Sequence, residues 1–196
     1  MRVRNLTEPR IEFVFGQVND QLNGELKDFW NQHGKAYQEE LSSFRIASRN
    51  SHGVGEQMDL LKKPISQQPA AISCDQSGVI NGIVFVVLRE LDDSLGLGSH
   101  AYFQRMYITP TARYLAKNLS YQRLANQLFR TFLEGFDREV EKRDHRAKVL
   151  LAENINPGLQ KASMRRYFAR LGFQMLGSNQ LGGEVWSKKL ETRFCF

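Results

Sequence analysis

The surest pattern of apolar positions runs through the middle of the chain, where Tyr121, Leu124, Ala125, Leu128, Phe129, Phe132, Leu133, Phe136 and Val140 recur at i, i+3, i+4, i+7 and i+8. That period predicts a long amphipathic helix starting near Leu119. Gln122, Arg123, Asn126, Gln127, Arg130, Glu134 and Asp137 fall on its wet face. Strand-like runs flank the helix, Ala101 to Ile108 before it and Val149 to Ala152 after it. Strand, crossing helix and strand form a βαβ unit, which implies locally parallel strands and a right-handed crossover.

Upstream, Ile11 to Val18 reads as a first strand. Asp20 then caps a helix reaching His33, with Leu22, Leu26, Phe29 and Trp30 on one face. Tyr37, Leu41 and Phe44 continue a weaker helical stripe, and SRNSHGVGEQ and KKPISQQP read as loop. Ala70 to Ser73 and Val79 to Leu88 flank the polar turn DQSG and predict an antiparallel hairpin. ELDDSLGLGS then makes a connection, Thr109-Pro110 ends the next strand and opens a loop, and a late helix closes on RRYFARLGF before a final strand EVWSKKL. The expected architecture is α/β in a single domain, 1–196. Its N-terminal strand and helices occupy 1–68, and the hairpin, βαβ core and C-terminal strands occupy 69–196.

Composition narrows the class. The longest purely apolar run, Ile83 to Leu88, is far short of the roughly 20 residues a helix needs to span a bilayer, and MRVRNLTEPR has no apolar signal core. No membrane span is expected, and a reducing cytoplasm suits the two cysteines, Cys74 and Cys195, which lie in no CxxC or Cys/His cluster. A metal site is therefore not expected. The formal charge of +6 suits an acidic partner or a phosphate-bearing ligand, while no nucleic-acid motif accompanies it. The cations are spread rather than blocked: Arg2, Arg4 and Arg10, then Arg113, Lys117 and Arg123, then Arg165, Arg166 and Arg170.

Chemistry is expected between the strand ending at Ile108 and the long helix, because unpaired N–H groups at a helix start attract phosphate. Arg113 and Lys117 add charge there. The stretch ITP followed by Arg113-Tyr114-Leu115-Ala116-Lys117-Asn118 resembles the GNAT superfamily of acyl-CoA-dependent N-acyltransferases. That family's phosphate loop follows Val/Ile-x-Pro and usually reads Arg/Gln-x-x-Gly-x-Gly/Ala. The arginine matches, and Ala116 and Asn118 stand where the family prefers glycine. LLAEN and RRYFARLGF are similar to the family's next strand and its Tyr-x-x-x-Gly-Phe helix end. Phe168 holds the usual tyrosine position, with Tyr167 one residue earlier.

The resemblance implies a GNAT-like central mixed sheet with a parallel, splayed strand pair and flanking helices. It implies acetyl-CoA as acyl donor and direct attack by an amine-bearing acceptor. The donor would be bound by Met106, Tyr107 and Ile108, whose backbone would also serve the oxyanion. Arg113, Tyr114, Leu115, Ala116, Lys117 and Asn118 would hold its phosphates, with Asn154 and Phe168 also lining its site. Glu153 would be the base, with Glu90, Asp92, Asp93 and His100 as other candidates, and Tyr167 would be the acid for the departing thiolate. Tyr167 also shares a helical face with Met164, Phe168 and Leu171, which is the pattern of a packing aromatic. Asn156-Pro157 favours a turn.

Two other readings stand beside this one. Gln104-Arg105-Met106-Tyr107 is similar to the strand of autoinducer synthases and long-chain N-acyl amino acid synthases, which implies long-chain acyl-CoA or an acidic acyl carrier protein as donor. The missing glycines and tyrosine suit instead a non-catalytic CoA-binding or regulatory module. Sheet edges would admit a homodimer.

Overall fold

A computed structural model describes residues 9–49, 61–92, 95–118, 122–179 and 182–191, excepting the side chains of 44–49, 61–63, 115–118 and 122–123. The elements are β1 (Arg10–Phe13), α1 (Asp20–Arg49), β2 (Leu61–Cys74), β3 (Ile80–Leu91), β4 (His100–Ile108), α2 (Pro110–Asn118), α3 (Gln122–Arg138), β5 (Ala147–Asn154), α4 (Ala162–Arg170), β6 (Gln174–Ser178) and β7 (Glu184–Lys189). The strands form a seven-stranded sheet in the order β1-β2-β3-β4-β5-β7-β6. β4 and β5 run parallel, from His100 opposite Ala147 to Gln104 opposite Ala152, whereas β5 with β7 and β6 with β7 are antiparallel. This is the mixed α/β sheet with a parallel pair that the sequence predicts.

The described chain forms two compact units. The first takes the described residues within Met1–Gly34, Pro69–Phe85 and Met106–Arg138, and the second those within Lys35–Gln68, Val86–Arg105 and Glu139–Phe196. In the first, the apolar stripe of α3 is buried as its period requires, with Leu124, Leu128, Phe129, Phe132, Leu133 and Phe136 all in the core. Phe136 meets Phe15 edge-on at 5.0 Å between ring centroids. Gly135 lies against Phe13 of β1 so closely that a β-carbon there would stand 2.3 Å from the ring. The DQSG turn forms as predicted: the Asp75 carboxylate accepts the amides of Ser77 and Val79, and Gly78 takes φ +81°.

In the second unit, Val149, Leu150, Leu151 and Ala152 of β5 are buried. β7 alongside it contributes buried Val185 and Trp186. At the end of α4 the Leu-Gly-Phe sequence makes a helix stop. Gly172 adopts φ +85°, its amide donates to the Ala169 carbonyl, and the Phe173 amide donates to that of Phe168.

Several boundaries differ from the sequence expectations. The first strand ends at Phe13, because the Gln17 amide returns to the Val14 carbonyl around Gly16 at φ +65°. The two N-terminal helical stripes belong to one helix, since Gly34 is flanked by helix formers and a single glycine costs a helix only about 1 kcal/mol. KKPISQQP, expected as loop, lies in β2; proline's fixed φ suits extended chain and removes one ladder donor. Arg113 to Asn118, also expected as loop, is helical in α2. The reason is local: Thr109 caps it, Pro110 occupies the first helical position, and Ala116 and Asn118 stand where glycines would keep the segment open. Val140 falls beyond the end of α3. Asn156-Pro157 is a turn, as expected. Its Asn156 side chain accepts the Gly158 amide at 2.8 Å and opens a single 3-10 turn over Pro157–Gln160. Of the C-terminal strands expected, only EVWSKKL has a position in the sequence reading, and β6 adds a second one at Gln174–Ser178. The glycine-bearing stretch before β2, Asp93, Tyr121 and Cys195 lie outside the described residues.

Candidate functional site

Candidates in the first unit gather where β4 passes into α2. Tyr107 and Ile108 are buried and Met106 is half-buried. The Thr109 amide donates to the Asn81 carbonyl at 2.9 Å, its carbonyl accepts the Arg113 amide at 3.0 Å, and its hydroxyl accepts the Ala112 amide at 3.3 Å. α2 therefore starts rigidly from the strand. The exposed Arg113 guanidinium lies 5.8 Å from the Tyr107 ring centroid, a cation-π distance, and Phe29 meets the same tyrosine edge-on at 6.1 Å. Tyr114 is exposed, while the side chains of Leu115, Ala116, Lys117 and Asn118 lie outside the described residues.

A positive helix start with an arginine in its first turn suits an anion. Its supply of amides is smaller than in a glycine-rich loop, because Pro110 has no N–H and the Thr109 hydroxyl takes that of Ala112.

Candidates in the second unit lie on β4, β5 and α4. The register that sets Gln104 opposite Ala152 makes Arg105 and Glu153 the next residues on neighbouring parallel strands. Their side chains meet: Arg105 Nη2 lies 2.6 Å from Glu153 Oε2. The other carboxylate oxygen, Oε1, accepts a hydrogen bond from Asn179 Nδ2. Asn179 is fixed in turn by the β6–β7 hairpin, donating its amide to the Gly183 carbonyl at 2.8 Å and accepting the Gly183 amide on Oδ1 at 2.8 Å. Both oxygens of the expected base are thus engaged. Arg105 also stands 5.8 Å from the Phe103 ring centroid.

Asn154 is buried opposite Glu184, and its carbonyl accepts from Gln160 Nε2 at 2.9 Å. Its Nδ2 is buried with no hydrogen-bond partner among the described residues. A buried amide donor left open costs about 1–3 kcal/mol, so this one fits a carbonyl brought by a ligand.

On α4, Tyr167 is half-buried and Phe168 is buried, its ring stacked on Trp186 at 5.6 Å and edge-on to Phe173 at 5.4 Å. Successive helix residues point about 100° apart, so the two aromatics face different surroundings. Among the other candidates for a base, Glu90 and Asp92 are exposed. His100 is buried at the start of β4, with Nδ1 2.8 Å from the Ser99 hydroxyl.

Asn179 and Glu184 carry no signal in the sequence. Nothing in NQLGGE indicates that its asparagine reaches a carboxylate on another strand, nor that its glutamate is buried. Arg105 was visible as part of a strand motif, but its partner was not.

Fold and side chains together define a mixed α/β protein with one parallel strand pair, a capped helix leaving that pair and an arginine–carboxylate couple on it. No family model matches the chain, and no curated protein matches it. Among solved structures, a crystal structure from Klebsiella pneumoniae subsp. pneumoniae, provisionally named an acyl-CoA N-acyltransferase, matches with a TM-score of 0.42 and 14% identity, over 95% of this chain and 100% of that one. A likeness this distant assigns neither family nor activity. Among the described residues, no group of three or more His, Cys, Asp or Glu could hold a metal ion, and no helix is long and apolar enough to cross a membrane.

Proposed function

We propose that the chain is an N-acyltransferase that moves an acyl group, acetyl first, from coenzyme A to an amine. The observation that carries this reading is the passage of β4, a strand of the parallel pair, straight into the Thr109-capped α2, with Arg113 exposed in its first turn. That start offers an anion both the helix's positive end and a cation. The open Asn154 amide supports it, being suited to a carbonyl such as those of the pantetheine arm.

The donor, when bound, supplies a thioester whose carbonyl the amine attacks: a C–N bond forms, the C–S bond breaks and CoA leaves as the thiol. In this reading the backbone amides of Met106 to Ile108 receive the charge that develops on the carbonyl oxygen. Arg113, Tyr114 and the turn Leu115 to Asn118 hold the phosphates, and Phe168 supports α4 from within the core. Glu153 takes the proton of the acceptor's ammonium once that ammonium has replaced Asn179 at Oε1. Tyr167 is the acid for sulfur.

Thermal-shift titration tests the donor, since a ligand bound only by the native state raises the melting temperature by mass action. Acetyl-CoA should raise it. A shift only with long-chain acyl-CoA or acyl carrier protein would replace acetyl by a longer chain, and no shift with any donor would remove the enzyme reading. Glu153→Gln should then lower turnover while leaving donor binding in place.

A further inference from the structure

We propose that the cleft between β1, β2 and the first turns of α1 binds an organic cation, a protonated amine carried on an apolar body, with Glu25 as its counter-ion. None of the residues lining it belongs to the acyl-transfer reading, so the two stand or fall separately.

The cleft holds about 530 Å³, within the range of roughly 300–1,000 Å³ that small-molecule sites occupy. Its walls divide by chemistry. Phe13, Val14, Leu22, Ile72 and the buried Cys74 supply apolar surface, and Glu12 and Glu25 stand among them half-buried. Glu12 already pairs with Arg10, the one cation among the described residues of the lining, whose side chain is 76% exposed. Glu25 has no such partner among the described residues: it accepts from Gln21 Nε2, a neutral donor, at 2.9 Å. A half-buried carboxylate with one neutral donor is incompletely answered, and a charge-assisted bond from an ammonium is roughly twice as strong as a neutral one.

The sign of the field follows from the same residues. Burial pushes the Cys74 thiol up, and the charges of Glu12, Glu25 and Asp75 push it the same way against Arg10. The thiol therefore stays protonated as part of the wall, with three carboxylates and one guanidinium around it. The start of α1 would favour an anion, but its positive end is already answered: Asn19 Oδ1 accepts the Leu22 amide at 2.9 Å, and Asp20 sits in the first turn. An anion would meet the like charge of Glu25, and a neutral molecule would leave that carboxylate as it is. An ammonium on an apolar chain answers the carboxylate and covers the apolar wall together.

The experiment measures equilibrium binding by calorimetry at neutral pH for hexylammonium, hexanol and hexanoate, which share one chain length, and for methylammonium, a cation without an apolar body. Hexylammonium should bind about tenfold or more tighter than each of the others. In Glu25→Gln its advantage over hexanol should fall to within about twofold. Asp28→Asn, which removes an exposed carboxylate of the same helix outside the cleft, should leave that advantage unchanged. Glu12→Gln frees Arg10 and should narrow the gap between hexylammonium and hexanoate by about threefold or more. Hexylammonium failing to bind, any other probe binding as tightly, or an advantage unmoved by Glu25→Gln or lost equally in Asp28→Asn would each overturn the inference. Should Glu25→Gln not fold, the wild-type ranking and Glu12→Gln decide.

Discussion

Glu184 is buried on β7, and Arg165 of α4 closes on it, with Nη2 and Nε at 2.5 and 2.6 Å from the same oxygen. The Trp186 indole N–H takes the other oxygen at 3.1 Å. A carboxylate this deep is tolerable only because its lone pairs are occupied, and the pair ties α4 to β7.

Arg165→Met should therefore cost more stability than Glu184→Gln. The first leaves a buried charge with only the indole named above, and the second removes the charge together with its partner's role. About 1–3 kcal/mol is expected for Arg165→Met, below the value for a fully buried pair because the arginine side chain is 51% exposed. Urea denaturation at constant m-value reads it directly, and equal midpoints in the two variants would contradict the ordering.

Two glycines of the helices should respond with opposite signs. A β-carbon at Gly135 would stand 2.3 Å from the Phe13 ring, so Gly135→Ala should destabilise by about 1–3 kcal/mol despite alanine's better helix propensity. At Gly24 in α1 a β-carbon would meet nothing within 4 Å, and Gly24→Ala should stabilise by roughly 0.5–1 kcal/mol. Thermal melts of both variants give the comparison.

These contrasts show which parts of the molecule are legible in its sequence. The period of α3 directly predicts the face that is buried, because a long helix repeats its signal over several turns. DQSG predicts a hairpin turn because aspartate and glycine each have a local backbone role there. The start of α2 is ambiguous in the sequence because Thr109-Pro110 carries two meanings: proline ends a strand, yet it is equally at home at the first position of a helix. KKPISQQP in β2 is ambiguous for a related reason, since a strand tolerates a proline that a sequence pattern counts as a breaker. At the candidate site, Glu153 was legible as a carboxylate ending a parallel strand. Its engagement by Arg105 and Asn179 is a tertiary relationship with no local signature.

Acid should expose one ion pair near the start of β5. Asp144 is held well below its ordinary value, to about 2, chiefly by hydrogen bonds from the Arg146 side chain and further by its charge. A carboxyl depressed in the folded state contributes stability that is fully present above its unfolded value near 4 and is lost as pH falls toward 2. Arg146→Gln should therefore be less stable than the wild type at pH 5, with the difference shrinking from about pH 4 downward. The difference should be small, because the Arg146 side chain reaches water and solvent screens the pair. Urea midpoints measured from pH 5 to pH 2.5 check the convergence, and a gap that widened in acid would contradict it.

Tyr167 and Phe168 allow the proton donor to be tested by position as well as by chemistry. Tyr167→Phe removes a hydroxyl from a half-buried residue, and it should lower kcat by about 10²-fold or more if that hydroxyl protonates sulfur, with donor binding kept. Phe168→Tyr instead pushes a hydroxyl into the cluster with Trp186 and Phe173, where burying it without a partner costs about 1–3 kcal/mol. Placing both changes in one chain keeps a tyrosine in the helix while moving it to the residue that packs into the core. Turnover should stay at the Tyr167→Phe level in that double variant. Recovery would show that residue 168 reaches the reacting sulfur, and would return the acid's role to the position where the resemblance first put it.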